Sequence, residues 1–173
     1  KEGFVDFEVQ TSMHMGTHID GPLHMVEGGR RLSEIPIDRL IGQGILIDAR
    51  GRDVIDETVV SVAEIPHGSI VLVMTGWSEK FGTPEYYTHF PRMTRACADA
   101  LIERGVKMVG MDTPSPDYAP FPLHTLFLEK EILLIENLTR LDALVGVGAF
   151  EVYALPVKFE ADSAPARIIA RVV

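Results

Sequence analysis

Three of the six histidines and one aspartate of this 173-residue chain fall within eleven consecutive residues. The segment reads HMGTHIDGPLH and carries, in order, His14, His18, Asp20 and His24. Imidazole and carboxylate side chains together suit zinc, manganese or ferrous iron, because these ions accept both nitrogen and oxygen ligands. A lone loop histidine is most often just solvated, but packing does not explain three of them beside an aspartate in a stretch broken by Gly and Pro. This segment, called the histidine motif below, therefore predicts a metal site.

The spacing within the motif bears on its local structure. His14 and His18 are four residues apart and would share a face of a helix, whereas His18 and Asp20 are two apart and would share a face of a strand. Gly and Pro disfavour a continuous helix, so we expect a strand end that runs into a loop or a single turn. The motif lacks the glutamate that serves as general base in H-E-x-x-H. Any base must come from elsewhere, and His24 is the nearest candidate.

Apolar periodicity indicates the elements that must position the motif. Alternation from Phe4 to Met13 predicts a half-buried antiparallel strand that leads into it. Aliphatic runs predict further strands over 44–48, 69–75, 106–111, 132–135, 148–157 and 166–173. Helical spacing predicts a helix over 92–104 that stops at Gly105, and shorter helices over 61–64 (capping-box spacing) and 124–130. Residues 77–90 are predicted to form a long loop whose aromatic side chains either line a pocket or simply pack.

These elements predict an α/β fold in one domain over residues 1–173, with a mixed sheet partly curled on itself and helices outside. Glu136 directly follows the buried strand at 132–135. A carboxylate there needs a cation or hydrogen-bond donors, unless it simply emerges into solvent. Asp112 and Asp117 flank a Pro-rich loop at another strand end, where either ligand orientation or turn capping is possible, and turn capping is favoured.

Composition excludes several function classes. The net charge of −9 argues against nucleic acid or an anionic membrane surface as partner, because both need basic patches. No apolar run approaches a membrane span, and no signal peptide is recognisable. The single cysteine, Cys97, excludes an internal disulfide, fits the cytoplasm and lies in an apolar helical stripe typical of a buried thiol. Dinucleotide, Walker A and nucleophile-elbow motifs are absent.

The histidine motif resembles the H-x-G-T-H-x-D-x-P-x-H pattern of the metal-dependent cyclase-family hydrolases, which include kynurenine formamidases (arylformamidases) and isatin hydrolases. Every fixed position is filled, and the resemblance extends over nearly the whole chain, to residues 154–157 and 164–167. It implies a swivelling β/β/α fold and a homodimer or higher homo-oligomer. The chain does not begin with Met, and the N-terminal segment of the family is expected to be missing.

The resemblance also implies a ligand set. The two motif histidines and the aspartate, here His14, His18 and Asp20, hold a metal in this family. In the formamidase branch a second metal shares that aspartate and takes a histidine and a glutamate twelve residues apart, as His124 and Glu136 are here. The last motif histidine, His24, is the family's proton shuttle. One or two divalent ions, zinc or manganese, are therefore expected.

The expected activity is hydrolysis of an amide-type C–N bond in a small-molecule substrate of the N-formylkynurenine kind. Met25 stands where formamidases usually have an aromatic residue, which leaves the substrate open. The alternative within the enzyme class is an isatin-type lactam or a lactone as substrate. A metal-binding protein without catalysis is the alternative from another class, but such a site has no use for a nearby shuttle such as His24.

Overall fold

Short aliphatic runs form the strands of one mixed sheet, which closes into a barrel. The structure is a computed structural model and describes residues 3–173. The strands follow one another around the barrel as β1 (His18–Asp20), β7 (Leu133–Glu136), β6 (Met108–Met111), β4 (Ile70–Met74), β2 (Ile41–Asp48), β8 (Phe150–Pro156) and β9 (Ser163–Val172). Strand β1 pairs with both β7 and β9 and so closes the ring. The predicted mixed, barrel-like sheet is confirmed.

The centre of the sheet is parallel, and its strands β4, β6 and β7 are fully buried. Strands β2, β4, β6 and β7 run parallel, whereas β1, β8 and β9 are antiparallel to their neighbours. Alternate residues of β4 belong to two separate cores: Ile70 and Leu72 pack inside the barrel, and Val71 and Val73 pack against the outer helices. Both faces are therefore buried, which explains why these strands read as continuous apolar runs.

Four α-helices are present in the described residues, and the first, third and fourth of them pack on the outer face of the barrel. They are α1 (Thr58–Ser61), α2 (Pro84–Thr88), α3 (Arg95–Glu103) and α4 (Pro122–Glu129), and a two-stranded sheet joins β3 (Val54–Ile55) to β5 (Arg92–Met93). The hydroxyl of Thr94 accepts a hydrogen bond from the Cys97 amide at 3.1 Å and caps α3, which Gly105 follows with φ +66°. Cys97 is buried, as predicted. Within residues 3–173 no helix combines the length and the apolarity needed to cross a membrane.

The predicted strand from Phe4 to Met13 is wrong. Residues 4–12 have no regular secondary structure, and the side chains of Val5 and Phe7 are 82% and 85% exposed. Alternation predicts a strand only where a neighbouring edge supplies hydrogen bonds and a covered face, and no strand of the described residues pairs with this segment. Gly16, at φ +62°, redirects the chain just before β1 begins.

Three other local predictions need correction. The helix predicted over 92–104 is α3, which begins only at Arg95, because Arg92 and Met93 pair in strand β5. The helix predicted over 61–64 is instead α1, which ends at Ser61, whose hydroxyl donates back to the Thr58 carbonyl at 2.8 Å. The capping-box spacing was misleading because serine also satisfies backbone groups at the end of a helix. The loop predicted over 77–90 contains a 3-10 helix, Trp77–Lys80, as well as α2.

The histidine motif ends in a tight turn that folds back on its own backbone. The Val26 amide donates to the Pro22 carbonyl at 2.9 Å, and the Leu23 amide donates to the Arg30 carbonyl at 3.1 Å. A Cβ atom at Gly29 would lie 2.7 Å from the Pro22 carbonyl carbon and 2.9 Å from the Leu23 nitrogen. Backbone atoms cannot move aside as a flexible side chain does, so this turn requires glycine at position 29.

We therefore expect Gly29→Ala to lower the free energy of unfolding by about 1–3 kcal/mol, the usual cost of overpacking. Gly148→Ala is the control, because nothing lies within 4 Å of a Cβ atom at that position. Urea unfolding followed by circular dichroism measures both variants. Equal stability of the two would show that the turn accommodates a side chain.

Candidate metal centre

Strand register brings three of the candidate ligands together: His18, Asp20 and Glu136. In the antiparallel pair of β1 and β7, His18 lies directly opposite Glu136. His18 and Asp20 share the outer face of β1, while Ile19 between them packs inside the barrel. All three polar side chains are buried, and Asp20 is 0% exposed. The predicted strand end that runs into a loop or a single turn is found only in the second part of the motif, where the 3-10 helix Pro22–His24 follows β1; residues 13–17 before β1 form turns and bends.

Helix α4 brings a further imidazole to this face of the sheet. His124 lies in the first turn of α4, with its Nε2 atom 2.9 Å from Oε1 of Glu136 and 3.6 Å from Oδ2 of Asp20. The five candidate ligands predicted from the sequence are therefore close together in space.

The two oxygens of Asp20 face different imidazoles. Oδ1 lies 3.0 Å from Nδ1 of His14 and 3.4 Å from Nε2 of His18. Oδ2 instead faces His124. The two oxygens of this carboxylate are therefore directed to different sides of the cluster.

Several buried atoms of this cluster have no hydrogen-bond partner: Nε2 of His18, both oxygens of Asp20 and Oε1 of Glu136. The neighbouring imidazoles approach within 4 Å of these oxygens, but without the geometry of a hydrogen bond. Buried polar atoms without partners are costly and uncommon in native proteins. Lone pairs of nitrogen and oxygen that converge in this way fit a divalent zinc or manganese ion.

The outward nitrogens of two rings are held by hydrogen bonds. Nδ1 of His18 lies 2.8 Å from the Gly16 carbonyl oxygen, and Nδ1 of His124 lies 3.1 Å from Oδ1 of Asp117. Both acceptors require a hydrogen on Nδ1, so Nε2 is the nitrogen of each ring that can bind an ion once the ring is neutral. Asp117 also caps α4, because its Oδ2 accepts from the Leu123 amide at 2.6 Å. Asp117 therefore has two roles: it caps a backbone turn, as the sequence favoured, and it also orients the ring of His124.

Asp112 has a purely structural environment. Its carboxylate accepts hydrogen bonds from the backbone amides of Thr75 at 2.9 Å and Gly76 at 2.7 Å, and from the Thr75 hydroxyl at 2.6 Å. These contacts tie the end of β4 to the end of β6. The turn-capping interpretation holds for this residue.

His24 lies at the rim of the cluster. Its ring centroid is 4.4 Å from that of His14 and 5.8 Å from that of His124. Its side chain is 25% exposed, whereas that of His18 is 1% exposed. A nitrogen of His24 also lies within 4.8 Å of ligand atoms of His14 and Asp20, so its position suits either contact with an ion or contact with a substrate.

Sequence reasoning missed Asp162. Its Oδ2 lies 2.9 Å from Nε2 of His14 and 3.1 Å from Nδ1 of His24. The pairing of Asp20 with Ser163 across β1 and β9 is what brings it to the motif. Nothing in the spacing of the sequence signals this contact, because the two segments are more than a hundred residues apart.

Opposite charges dominate the electrostatics of the cluster. Contact with the Asp20 carboxylate outweighs burial and raises the pKa of His14 to about 9. Burial lowers the pKa of His124, but the neighbouring Asp117, Asp20 and Glu136 outweigh it and raise that pKa to about 11. Burial would raise the pKa of Asp20, yet His124 and His14 hold it far below its usual range. Without an ion, the carboxylates retain protons on these imidazoles.

Comparison with known proteins identifies the family. Residues 3–118 match the Cyclase family model. The kynurenine formamidase of Erythrobacter litoralis is 32% identical over 165 residues, which cover 92% of this chain and 74% of that protein. A solved structure described as a potential metal-dependent hydrolase with cyclase activity superposes with a TM-score of 0.84 at 30% identity, over 94% of this chain and 81% of that one.

Isatin hydrolase A from Labrenzia aggregata, solved with benzyl benzoate, superposes with a TM-score of 0.83 at 26% identity, over 94% of this chain and 75% of that one. The expected fold and the expected enzyme class, a hydrolase of the amidase type, are confirmed by these relatives. Of the buried cluster, His18 and Asp20 lie within the range that the family model matches, whereas Glu136 lies after it. The chain belongs to the Cyclase family of hydrolases.

Proposed function

We propose that this hydrolase uses one or two divalent ions to cleave an amide-type C–N bond, that of an N-formylkynurenine-like aryl formamide. The observation that carries the proposal is the buried set of unpartnered atoms on His18, Asp20 and Glu136 beside the more exposed imidazole of His24. Similarity to a kynurenine formamidase supports the choice of substrate. The partner is then a small molecule, and the homo-oligomer implied by the family stays a prediction.

The proposed ligands are the five residues of the cluster: His14, His18, Asp20, His124 and Glu136. Asp20 is the shared ligand in this proposal, because each of its oxygens faces different imidazoles. A bound zinc or manganese ion supplies Lewis acidity, which acidifies a water molecule and polarises the scissile carbonyl.

His24 is proposed to move the proton. Its Nδ1 atom is engaged by Asp162, so its Nε2 atom is the one available to a substrate. Imidazole accepts and donates a proton near neutral pH, and it can therefore take a proton from the attacking water and return it to the leaving nitrogen. Its partial exposure allows a substrate to reach it without displacing the buried ligands.

An isatin-type lactam is the second candidate substrate. The structural similarity to isatin hydrolase A favours it, and Met25 takes the place of the aromatic residue usual in formamidases. Hydrolysis of a lactam needs the same metal core and the same proton transfer, so the two candidates differ only in the pocket.

We expect purified protein to hold close to one or two zinc or manganese ions per chain and to hydrolyse N-formylkynurenine. Elemental analysis and an absorbance assay, with and without added metal, measure both. Turnover of isatin alone would select the second substrate. Bound metal without turnover of any formamide, lactam or lactone would contradict catalysis.

Substitution of the shuttle should separate chemistry from metal binding. His24→Ala is expected to lower kcat by about 100-fold or more, the usual contribution of a positioned acid–base group, while metal content stays unchanged. His67→Ala is the control, because His67 is exposed and lies far from the cluster. It precedes the start of β4, whereas Glu136 lies at the end of the parallel strand β7. Normal turnover of His24→Ala would refute the shuttle, and lost metal would make His24 a ligand instead.

Metal binding should release protons. His14 and His124, with pKa values raised from 6.5 to about 9 and about 11, hold protons at pH 7 in the metal-free site, and an imidazole must lose its proton to bind an ion. Zinc affinity should therefore rise with pH through the neutral range up to about 9, where His14 loses its proton, and further toward about 11, where His124 does. Titration calorimetry in buffers of different ionisation enthalpy counts the released protons. Affinity independent of pH would contradict the proposed ligands.

A further inference from the structure

We infer that Asp162 is a positioning residue that fixes which ring nitrogens of His14 and His24 carry hydrogen. For the roles of those two rings, the inference rests on the proposed function. One carboxylate oxygen of Asp162 contacts Nε2 of His14 and Nδ1 of His24, at 2.9 Å and 3.1 Å. Asp162 therefore joins a candidate metal ligand to the candidate proton shuttle.

The chemistry of the contact determines the hydrogens. An ionised carboxylate only accepts hydrogen bonds, so the nitrogen that faces it on each ring must carry a hydrogen. The other nitrogen of a neutral ring then has a free lone pair. For a His14 ring that binds an ion as a neutral ligand, that nitrogen is Nδ1, which lies 3.0 Å from Oδ1 of Asp20 in the metal-free site. For His24 it is Nε2, which is left free to accept a proton.

The fold holds Asp162 in place from both sides of its backbone. The Gly21 amide donates to the Asp162 carbonyl at 2.8 Å, and the Leu32 amide donates to the Ala161 carbonyl at 2.9 Å. The next residue, Ser163, is paired with Asp20 in the sheet. The backbone that carries this carboxylate is thus hydrogen-bonded to the histidine motif through Gly21, and its position is fixed by the sheet.

Loss of this carboxylate would leave both rings free to adopt the wrong tautomer. If the hydrogen of the neutral His14 ring were on Nδ1, that nitrogen could not bind an ion. If the hydrogen of the neutral His24 ring were on Nε2, that nitrogen could not accept a proton. Removal of a carboxylate that orients a metal-binding histidine typically costs about 10–100-fold in metal affinity or activity. A merely solvated surface pair would cost almost nothing, which makes the two interpretations distinguishable.

The test compares Asp162→Ala and Asp162→Asn with Glu160→Gln. Glu160 lies in the same loop and carries the same charge, and its side chain is 82% exposed and pairs with Arg31 at 3.7 Å. Three quantities are measured: the zinc dissociation constant by chelator competition, kcat and KM for N-formylkynurenine at saturating zinc, and the ring hydrogens of the zinc-loaded protein by long-range ¹H–¹⁵N correlation spectra.

We expect Asp162→Ala to weaken zinc binding about 10–100-fold. The same substitution should lower kcat while KM changes less. In the spectra, the rings of His14 and His24 should each show a mixture of tautomers in place of one tautomer. Asp162→Asn keeps an acceptor oxygen and should lie between Asp162→Ala and the native protein, whereas Glu160→Gln should match the native protein. Native zinc affinity and native ring spectra in a folded Asp162→Ala protein would overturn the inference.

The two proposals fail in different ways. If the native protein binds zinc but hydrolyses no formamide, lactam or lactone, the proposed function fails. The zinc affinity and the ring spectra of the Asp162 variants still decide the positioning role.

Discussion

The structure of this site depends on one fully buried carboxylate. Asp20 is excluded from solvent, and neither of its oxygens has a hydrogen-bond partner. An ionised carboxylate in an apolar interior is very unfavourable unless positive charge lies close to it. Imidazoles on three sides supply that charge as protons when no ion is present, and an ion replaces those protons when it binds. The ring of histidines around Asp20 is thus a physical requirement of its burial.

The sheet determines which residues can meet at this carboxylate. Strand β1 is only three residues long, yet it forms pairs on both of its edges. One pairing sets His18 opposite Glu136, and the other sets Asp20 beside Ser163 and therefore close to Asp162. Helix α4 packs over the outer face and adds His124. A shift of either pairing by one residue would turn these side chains into the barrel core.

Local patterns predicted most of what local interactions determine. The histidine motif, the buried aliphatic strands and the helix after Thr94 follow from residue type and spacing, and Glu136 was recognisable as a carboxylate at the end of a buried strand. The strand at 4–13 failed because its alternation says nothing about whether a neighbouring edge exists. Asp162 had no signal at all, since its role arises from pairing between distant segments. Asp117 was recognised as a loop aspartate, but its contact with His124 needed the position of α4.

The double pairing of β1 has a consequence for how the protein folds. Residues 14–24, 124–136 and 162 supply the cluster, so no short fragment of the chain contains it. Contacts between such distant segments form late, because a long loop must close before they give any stabilisation. The pairing of β1 that closes the barrel is also what assembles the cluster. An ion that binds this cluster favours the closed barrel over every partly folded state, by mass action.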